Sequence, residues 1–318
     1  MTTQPPGARA LHEVSGPAAL GTFEFATAAV PSARAYELLD AYHELGGRLL
    51  DTAPTYGPAH DGTFHAETLI ATWLRTTGAE GVHVISKAGL DPARPERGDL
   101  RPETLLASAR RSAEILGAPI ALVLHRDDPS APIPEIADAA DRAVREQAAL
   151  RVGASNWSTG RLEAWARHAA RAHLARPEIT APLWSLAPRT RPPAEPWLIE
   201  ADDEHLAFAA RHAMTITPYR TLGAGFLAAH HSGRHAAHHA AAYDTPGNRA
   251  CRARLHRAAA DLEMSPSGLA LACLRAAAPG VVPVIGPRSL GQLREAMNGA
   301  AAAHRVTEQV TAYLAIGG

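Results

Sequence analysis

Residues 82–125 read VHVISKAGLDPARPERGDLRPETLLASARRSAEILGAPIALVLH, and this stretch decides the fold. VHVIS (82–86) and IALVLH (120–125) are short, continuous apolar runs, the pattern of strands buried on both faces. Between them, Pro102 suits the first turn of a helix, and Leu105, Leu106, Ala109 and Ala113 recur at helical spacing. Strand, helix and strand in that order form one unit of a parallel sheet with its crossover helix.

The same alternation extends in both directions. Further apolar runs are AALGTF (18–23), RLLDT (48–52), RVGAS (151–155), ITAPLW (179–184), MTITPY (214–219) and VVPVIG (281–286). Helical patterns separate them. Ala35, Leu38, Leu39 and Tyr42 follow Ser32 as N-cap and end at Gly46–Gly47. Leu162, Trp165, Ala166 and Ala169 follow Ser158, and Leu269, Ala272, Cys273 and Ala276 follow Ser265–Pro266. Eight strand–helix repeats predict an α/β fold, a closed (β/α)8 TIM barrel, with a doubly wound open sheet as the rival. No linker divides the chain, so residues 1–318 are expected to form a single domain with extra helices and loops at the C-terminal face. The long gap from 220 to 280 holds HHSGRHAAHHAAAYD (230–244) and an extra helix before Pro266. APRTRPPAEPWLIE (187–200) reads as a loop, and 303–315 as a last helix.

Composition narrows the function. Thirty-one Lys+Arg against 32 Asp+Glu give a net charge of −1, which argues against electrostatic nucleic-acid binding. Hydrophobic residues make up 46% and charged residues 20%, enough to bury a core. No apolar run reaches the ~18 residues of a membrane span, and MTTQPPGARALHEVSG lacks a secretory pattern. Cys251 and Cys273 make neither a disulfide framework nor a zinc pattern. A cytoplasmic protein is expected, without membrane or nucleic-acid partner and with its oligomeric state unreadable. One oddity remains: Lys87 is the single lysine beside thirty arginines.

In a barrel of this kind the chemistry lies at the C-terminal strand ends and the loops beyond them. The second strand ends in Asp51, with Tyr56 in the following loop. The third delivers Lys87 and the fourth ends in His125. Singly, Asp51 reads as a loop cap, Tyr56 as a rim aromatic and His125 as a core histidine. Together they suit proton transfer. A phenol with a pKa of about 10 is a weak acid near neutrality, and a neighbouring ammonium favours its ionised form. A carboxylate keeps that ammonium charged, and a histidine can hydrogen-bond a substrate oxygen. The set describes a general acid for an oxygen gaining charge, as in carbonyl reduction.

These residues lie within LGTFEF (20–25), LLDTAPTYG (49–57), VISKAG (84–89), LVLHRDD (122–128), VGASNWS (152–158), PYRTLGAGFL (218–227) and VIGPRSLGQLREA (284–296). In content and order they resemble the aldo-keto reductase superfamily, over most of the chain. The resemblance implies an NADPH-dependent carbonyl reductase on a small-molecule carbonyl substrate, with a biosynthetic pathway as one setting. By position, Tyr56 matches the family's general acid, Lys87 and Asp51 its activating pair, and His125 the residue orienting the carbonyl. NADPH would lie extended across the barrel mouth. Ser155 and Asn156 match the carboxamide contacts, Tyr219 the stacking aromatic, and Leu222, Gly223 and Gly225 the backbone near the pyrophosphate. Gly21, Thr22 and Asp51 match the first cofactor-facing segments. Gly286, Arg288, Gln292 and Glu295 match the segment holding the adenosine 2′-phosphate and adenine, where a guanidinium suits a dianion. Candidate substrate walls are Phe23, Glu24, Phe25, Phe64, Arg126, Asp127, Trp157 and Trp184, the two carboxylates suiting either a polar or amine-bearing substrate or, equally, salt bridges at the rim. Two positions depart from the pattern: Ala181 replaces a Gln and Ala296 an Asn. The end of the chain soon after its last helix implies a pocket without a long closing loop.

Other signals compete. GAGFLA (223–228) with Asp244 matches a dinucleotide fingerprint but lacks the βαβ context it needs. The histidines of 230–239 have no closed ligand spacing. Asp51, His125 and Asp127 allow a metal-dependent hydrolase, which leaves Tyr56, Lys87, Asn156 and Arg288 without roles. No metal is therefore expected. A non-catalytic NADP(H)-binding sensor subunit is the binding-only alternative, and it needs no activated acid.

Overall fold

In the computed structural model, which describes residues 9–58, 63–91, 93, 97–189, 195, 197–228 and 241–315, eight parallel strands form one sheet. They are β1 (Ala19–Gly21), β2 (Leu49–Asp51), β3 (His83–Ala88), β4 (Ile120–Leu124), β5 (Ala149–Ser155), β6 (Pro177–Ala181), β7 (Thr215–Ile216) and β8 (Val284–Ile285). Each strand from β1 to β6 pairs with the next in sequence, and β1 also pairs with β8. Closure comes between β7 and the segment entering β8. Ile216 donates to the Gly280 carbonyl at 2.9 Å, Val282 to Ile216 at 2.8 Å and Val284 to Pro218 at 2.9 Å. The open-sheet rival is thereby replaced by a (β/α)8 barrel.

The crossovers are α2 (Ser32–Glu44), α3 (His65–Thr77), α4 (Pro102–Leu116), α5 (Ile133–Arg145), α6 (Thr159–Ala172), α7 (Asp203–Arg211), α8 (Pro246–Asp261) and α9 (Pro266–Ala277), and α10 (Leu290–Ala301) follows β8. Short α1 (Leu11–Val14) precedes β1. Ser158 and Ser265 cap α6 and α9 as expected, accepting from the Arg161 and Gly268 amides. Ser32 does not cap. Pro31 occupies that position, because its extended ψ and its carbonyl, bonded by Ala35, already set the first turn. The expected last helix divides into a 3-10 turn (Ala302–Arg305) and α11 (Glu308–Ala315), interrupted by extended Val306. The histidine stretch 230–239 lies outside the described residues.

Side-chain parity along the strands positions the site. Successive residues of a strand face opposite sides. Ala19, Leu49, Ile85, Ala121, Val123 and Ile179 pack inside the barrel with Leu11 of α1 and Val282. Leu20, Leu50, Val84, Leu122 and Leu124 face the helices instead. Two residues on from Leu49, Ile85 and Val123 come Asp51, Lys87 and His125, so all three continue the inner face. Ser86, of the opposite parity, points outward to Glu67 and Ser112.

One close contact anchors β2. The Tyr42 hydroxyl of α2 donates to the Leu49 carbonyl at 2.7 Å and accepts from the Leu49 amide at 3.0 Å. Gly47 lies against that ring, and a Cβ there would meet Tyr42 at 2.2 Å. A glycine is required at this approach, and the strand bearing Asp51 is fixed through it.

Candidate active site

Lys87 is the centre of the arrangement. Its Nζ donates to Asp51 Oδ1 at 2.7 Å and to the Thr52 carbonyl at 3.0 Å, and it lies 4.9 Å from the centroid of the Tyr56 ring. Lys87 is 5% and Asp51 6% exposed. A buried pair of this kind is maintained by geometry and extra hydrogen bonds, because each charge loses its hydration. Asp51 is itself held, its carbonyl accepting from the Thr22 amide at 3.0 Å and hydroxyl at 3.1 Å. The Tyr56 ring is edge-on to Phe23 at 5.2 Å and to His125 at 6.1 Å. The four residues converge from three strands and one loop on the barrel mouth.

Their charges are coupled. Burial pulls the Lys87 ammonium down, but Asp51 and then Tyr56 push it up, and the net direction is up. Lys87 therefore stays cationic. For Tyr56, burial raises the phenol and Lys87 is the strongest opposing influence, yet the phenol stays above its ordinary value. The ammonium thus moderates the cost of forming a phenolate rather than producing one at rest. His125 is driven well below the usual histidine range by burial and by the Lys87 and Arg126 charges, so its ring is neutral near pH 7. A protonated phenol beside a fixed cation and a neutral imidazole can donate a proton and share the hydrogen bonding of one oxygen atom.

A second group lines the mouth between β5 and β8. Ser155 ends β5 and donates to the Ala181 carbonyl at 2.9 Å. Asn156 adopts a left-handed φ of 60°, which Asn tolerates better than most residues. Its Oδ1 accepts from the Tyr219 hydroxyl at 2.6 Å and its Nδ2 donates to Ser155 Oγ at 3.1 Å. Leu222–Gly225 is a run of turns with left-handed φ at Gly223 (57°) and Gly225 (93°). Among the described residues the next regular element after it is a helix, so the GAGFLA match has no βαβ unit. Beyond β8, exposed Gly286 leads to Arg288, and Ser289 caps α10. Gln292 accepts from the Arg288 amide at 2.8 Å through Oε1, and Glu295 is half-buried one turn later. Amide and hydroxyl groups, an aromatic ring, a turn with left-handed glycines and a guanidinium follow one another along the mouth, a set whose chemistry fits an extended dinucleotide. Ala181 offers only its carbonyl, and buried Ala296 belongs to the helix-packed core.

The expected substrate walls separate. Phe23 is 51% exposed beside Tyr56, while Phe64 and Trp184 are half-buried. Trp157 and Phe25 are each 1% exposed and belong to the core outside the barrel, Trp157 packing 5.6 Å from Trp165. Asp127 is held by Arg161 at 2.8 Å and Glu24 by Arg288 at 2.8 Å, so each carboxylate already has a cation. The expectation of an amine-bearing substrate loses its basis. Among the described residues no group of three or more His, Cys, Asp or Glu is placed to hold a metal ion. Trp197 is a mouth residue that the sequence did not disclose. The Arg126 guanidinium lies 3.5 Å from its ring centroid. Its only signal was an aromatic inside the Pro-rich loop.

A parallel eight-stranded barrel with a Lys–Asp–Tyr–His cluster at the strand ends defines a class, and comparison with known proteins agrees with it. The profile of the Aldo/keto reductase family matches residues 18–316. The chain belongs to that family. It is similar to Aldo-keto reductase str7 of Strobilurus tenacellus, 28% identical over 198 residues, which cover 60% of this chain and 51% of the relative. The chain thus spans about half the length of that curated relative.

Proposed function

We propose that this chain is an NADPH-dependent reductase of an aldehyde or ketone. The observation that carries the reading is the Lys87 ammonium, 2.7 Å from Asp51 and 4.9 Å from the Tyr56 ring, at the inner mouth of the barrel. When bound, the nicotinamide cofactor supplies hydride to the carbonyl carbon. Tyr56 gives its proton to the carbonyl oxygen, and the phenolate left behind is stabilised by Lys87. Asp51 and the Thr52 carbonyl fix the ammonium in place, so no reorganisation is needed as charge develops. Neutral His125 donates a hydrogen bond to the same oxygen and orients it. Ser155, Asn156 and Tyr219 would seat the nicotinamide end, and Leu222–Gly225 the pyrophosphate. Arg288 would hold the 2′-phosphate, which favours NADPH over NADH.

The test is Tyr56→Phe, assayed by NADPH consumption across aldehydes, ketones and sugar-like carbonyls. Loss of the general acid should lower turnover about 10²–10⁴-fold, while NADPH still quenches tryptophan fluorescence at wild-type concentrations. Near-normal turnover would rule out the mechanism. NADPH binding without turnover on any carbonyl by the unaltered protein would favour a sensor role instead.

A further inference from the structure

The loops leaving β1 and β8, hydrogen-bonded neighbours, are tied together by one ion pair. Glu24 stands three residues beyond β1 and Arg288 three beyond β8, and Arg288 Nη2 donates to Glu24 Oε1 at 2.8 Å. The backbone of Glu24 is anchored locally. The Thr27 amide and hydroxyl bond the Glu24 carbonyl, at 3.2 and 2.5 Å, and the hydroxyl also lies 3.4 Å from Oε2. Both side chains stay open to solvent, Arg288 at 40% and Glu24 at 33% exposure. An ion pair this exposed contributes little to stability. Its effect falls instead on whatever else the guanidinium is to bind.

We infer that Glu24 is a built-in competitor for the phosphate seat at Arg288. This rests on the reading of Arg288 given above. The guanidinium N–H that meets a carboxylate would also meet a phosphate oxygen, so the two anions exclude one another there. A carboxylate left nearby after displacement still repels a dianion. Both effects act in the same direction: Glu24 lowers affinity for 2′-phosphorylated adenosine and leaves the unphosphorylated nucleoside untouched. It thereby sets how strongly the site separates the two cofactor forms.

The experiment is calorimetric titration of the full chain with adenosine 2′,5′-bisphosphate and with AMP, comparing wild type, Glu24→Gln, Arg288→Ala and the double variant. Glu24→Gln should tighten the bisphosphate by about three- to tenfold, the range of a released exposed pair plus one relieved repulsion. AMP binding should not change. Added salt should shrink the gain, and the Arg288→Ala background should abolish it. No change, weaker binding, or equal tightening of AMP on Glu24→Gln would overturn the competitor role while Arg288→Ala still weakens the bisphosphate. Unchanged bisphosphate binding by Arg288→Ala would remove the phosphate seat itself, and the competitor with it.

Discussion

Replacing Lys87 by Met separates what the buried pair does for the fold from what it does for the reaction. Lys87 and Asp51 side chains are 5% and 9% exposed, and their contact is 2.7 Å. Removing the ammonium strands a buried carboxylate and leaves the Thr52 carbonyl without its donor. Breaking one half of a buried pair costs about 3–5 kcal/mol, which for a chain of this size lowers Tm by roughly 4–8 °C. Adding Asp51→Asn removes the stranded charge, and an uncompensated buried charge is what makes breaking one half of such a pair costly. The double variant should therefore regain most of the lost Tm. On the proposed mechanism it should not regain activity, because Tyr56 would still lack the cation stabilising its phenolate, and turnover should stay about 10²–10⁴-fold down. Lys87→Arg should be inactive as well, since a planar guanidinium cannot fill the space of a compact ammonium. Circular-dichroism melts and NADPH oxidation rates measure both quantities. If the double variant recovers turnover along with stability, or the single variant melts like wild type, the reasoning fails.

Three further outcomes follow from other contacts. His125 has a folded pKa far below its unfolded value near 6.5, so the unfolded chain binds the extra proton and stability falls as pH drops below about 6.5. His125→Gln should narrow the Tm difference between pH 7.5 and 5.0, and an unchanged difference would contradict that assignment. Gly47→Ala places a methyl into the Tyr42 ring. Overpacking of this kind costs about 1–3 kcal/mol, readable as a lower urea midpoint, and a wild-type midpoint would show that the contact yields freely. Trp197→Ala removes the platform under Arg126, worth about 0.5–2 kcal/mol. KM for aromatic aldehydes should rise more than kcat falls, whereas a pure kcat effect would place the pair in the proton-transfer step.

The barrel was legible because its strands are buried on both faces and read as unbroken apolar runs. The chemistry of a barrel lies at its C-terminal strand ends, so Asp51, Lys87 and His125 could be grouped from sequence by that position alone, and strand parity in the structure puts all three on the inner face. Loops carry no such period. Trp197 and the Glu24–Arg288 pair join segments far apart in the chain, and no local pattern records that meeting. Trp157 misled for a related reason. It follows Asn156 at a strand end, but the left-handed backbone at Asn156 turns the next side chain into the helix layer against Trp165. Ser32 shows the limit of capping rules, where a neighbouring proline fixes the helix start first.

The seclusion of the one lysine has a practical consequence. A lysine-specific protease has one internal cleavage point in all 318 residues, after Lys87. That bond lies within β3, between β2 and β4. Cutting therefore requires the sheet to part at its third strand, and each cut yields the same two fragments. The chain carries its own single-site reporter of barrel opening, and binding at the mouth would be read directly as a slower appearance of that one pair of bands.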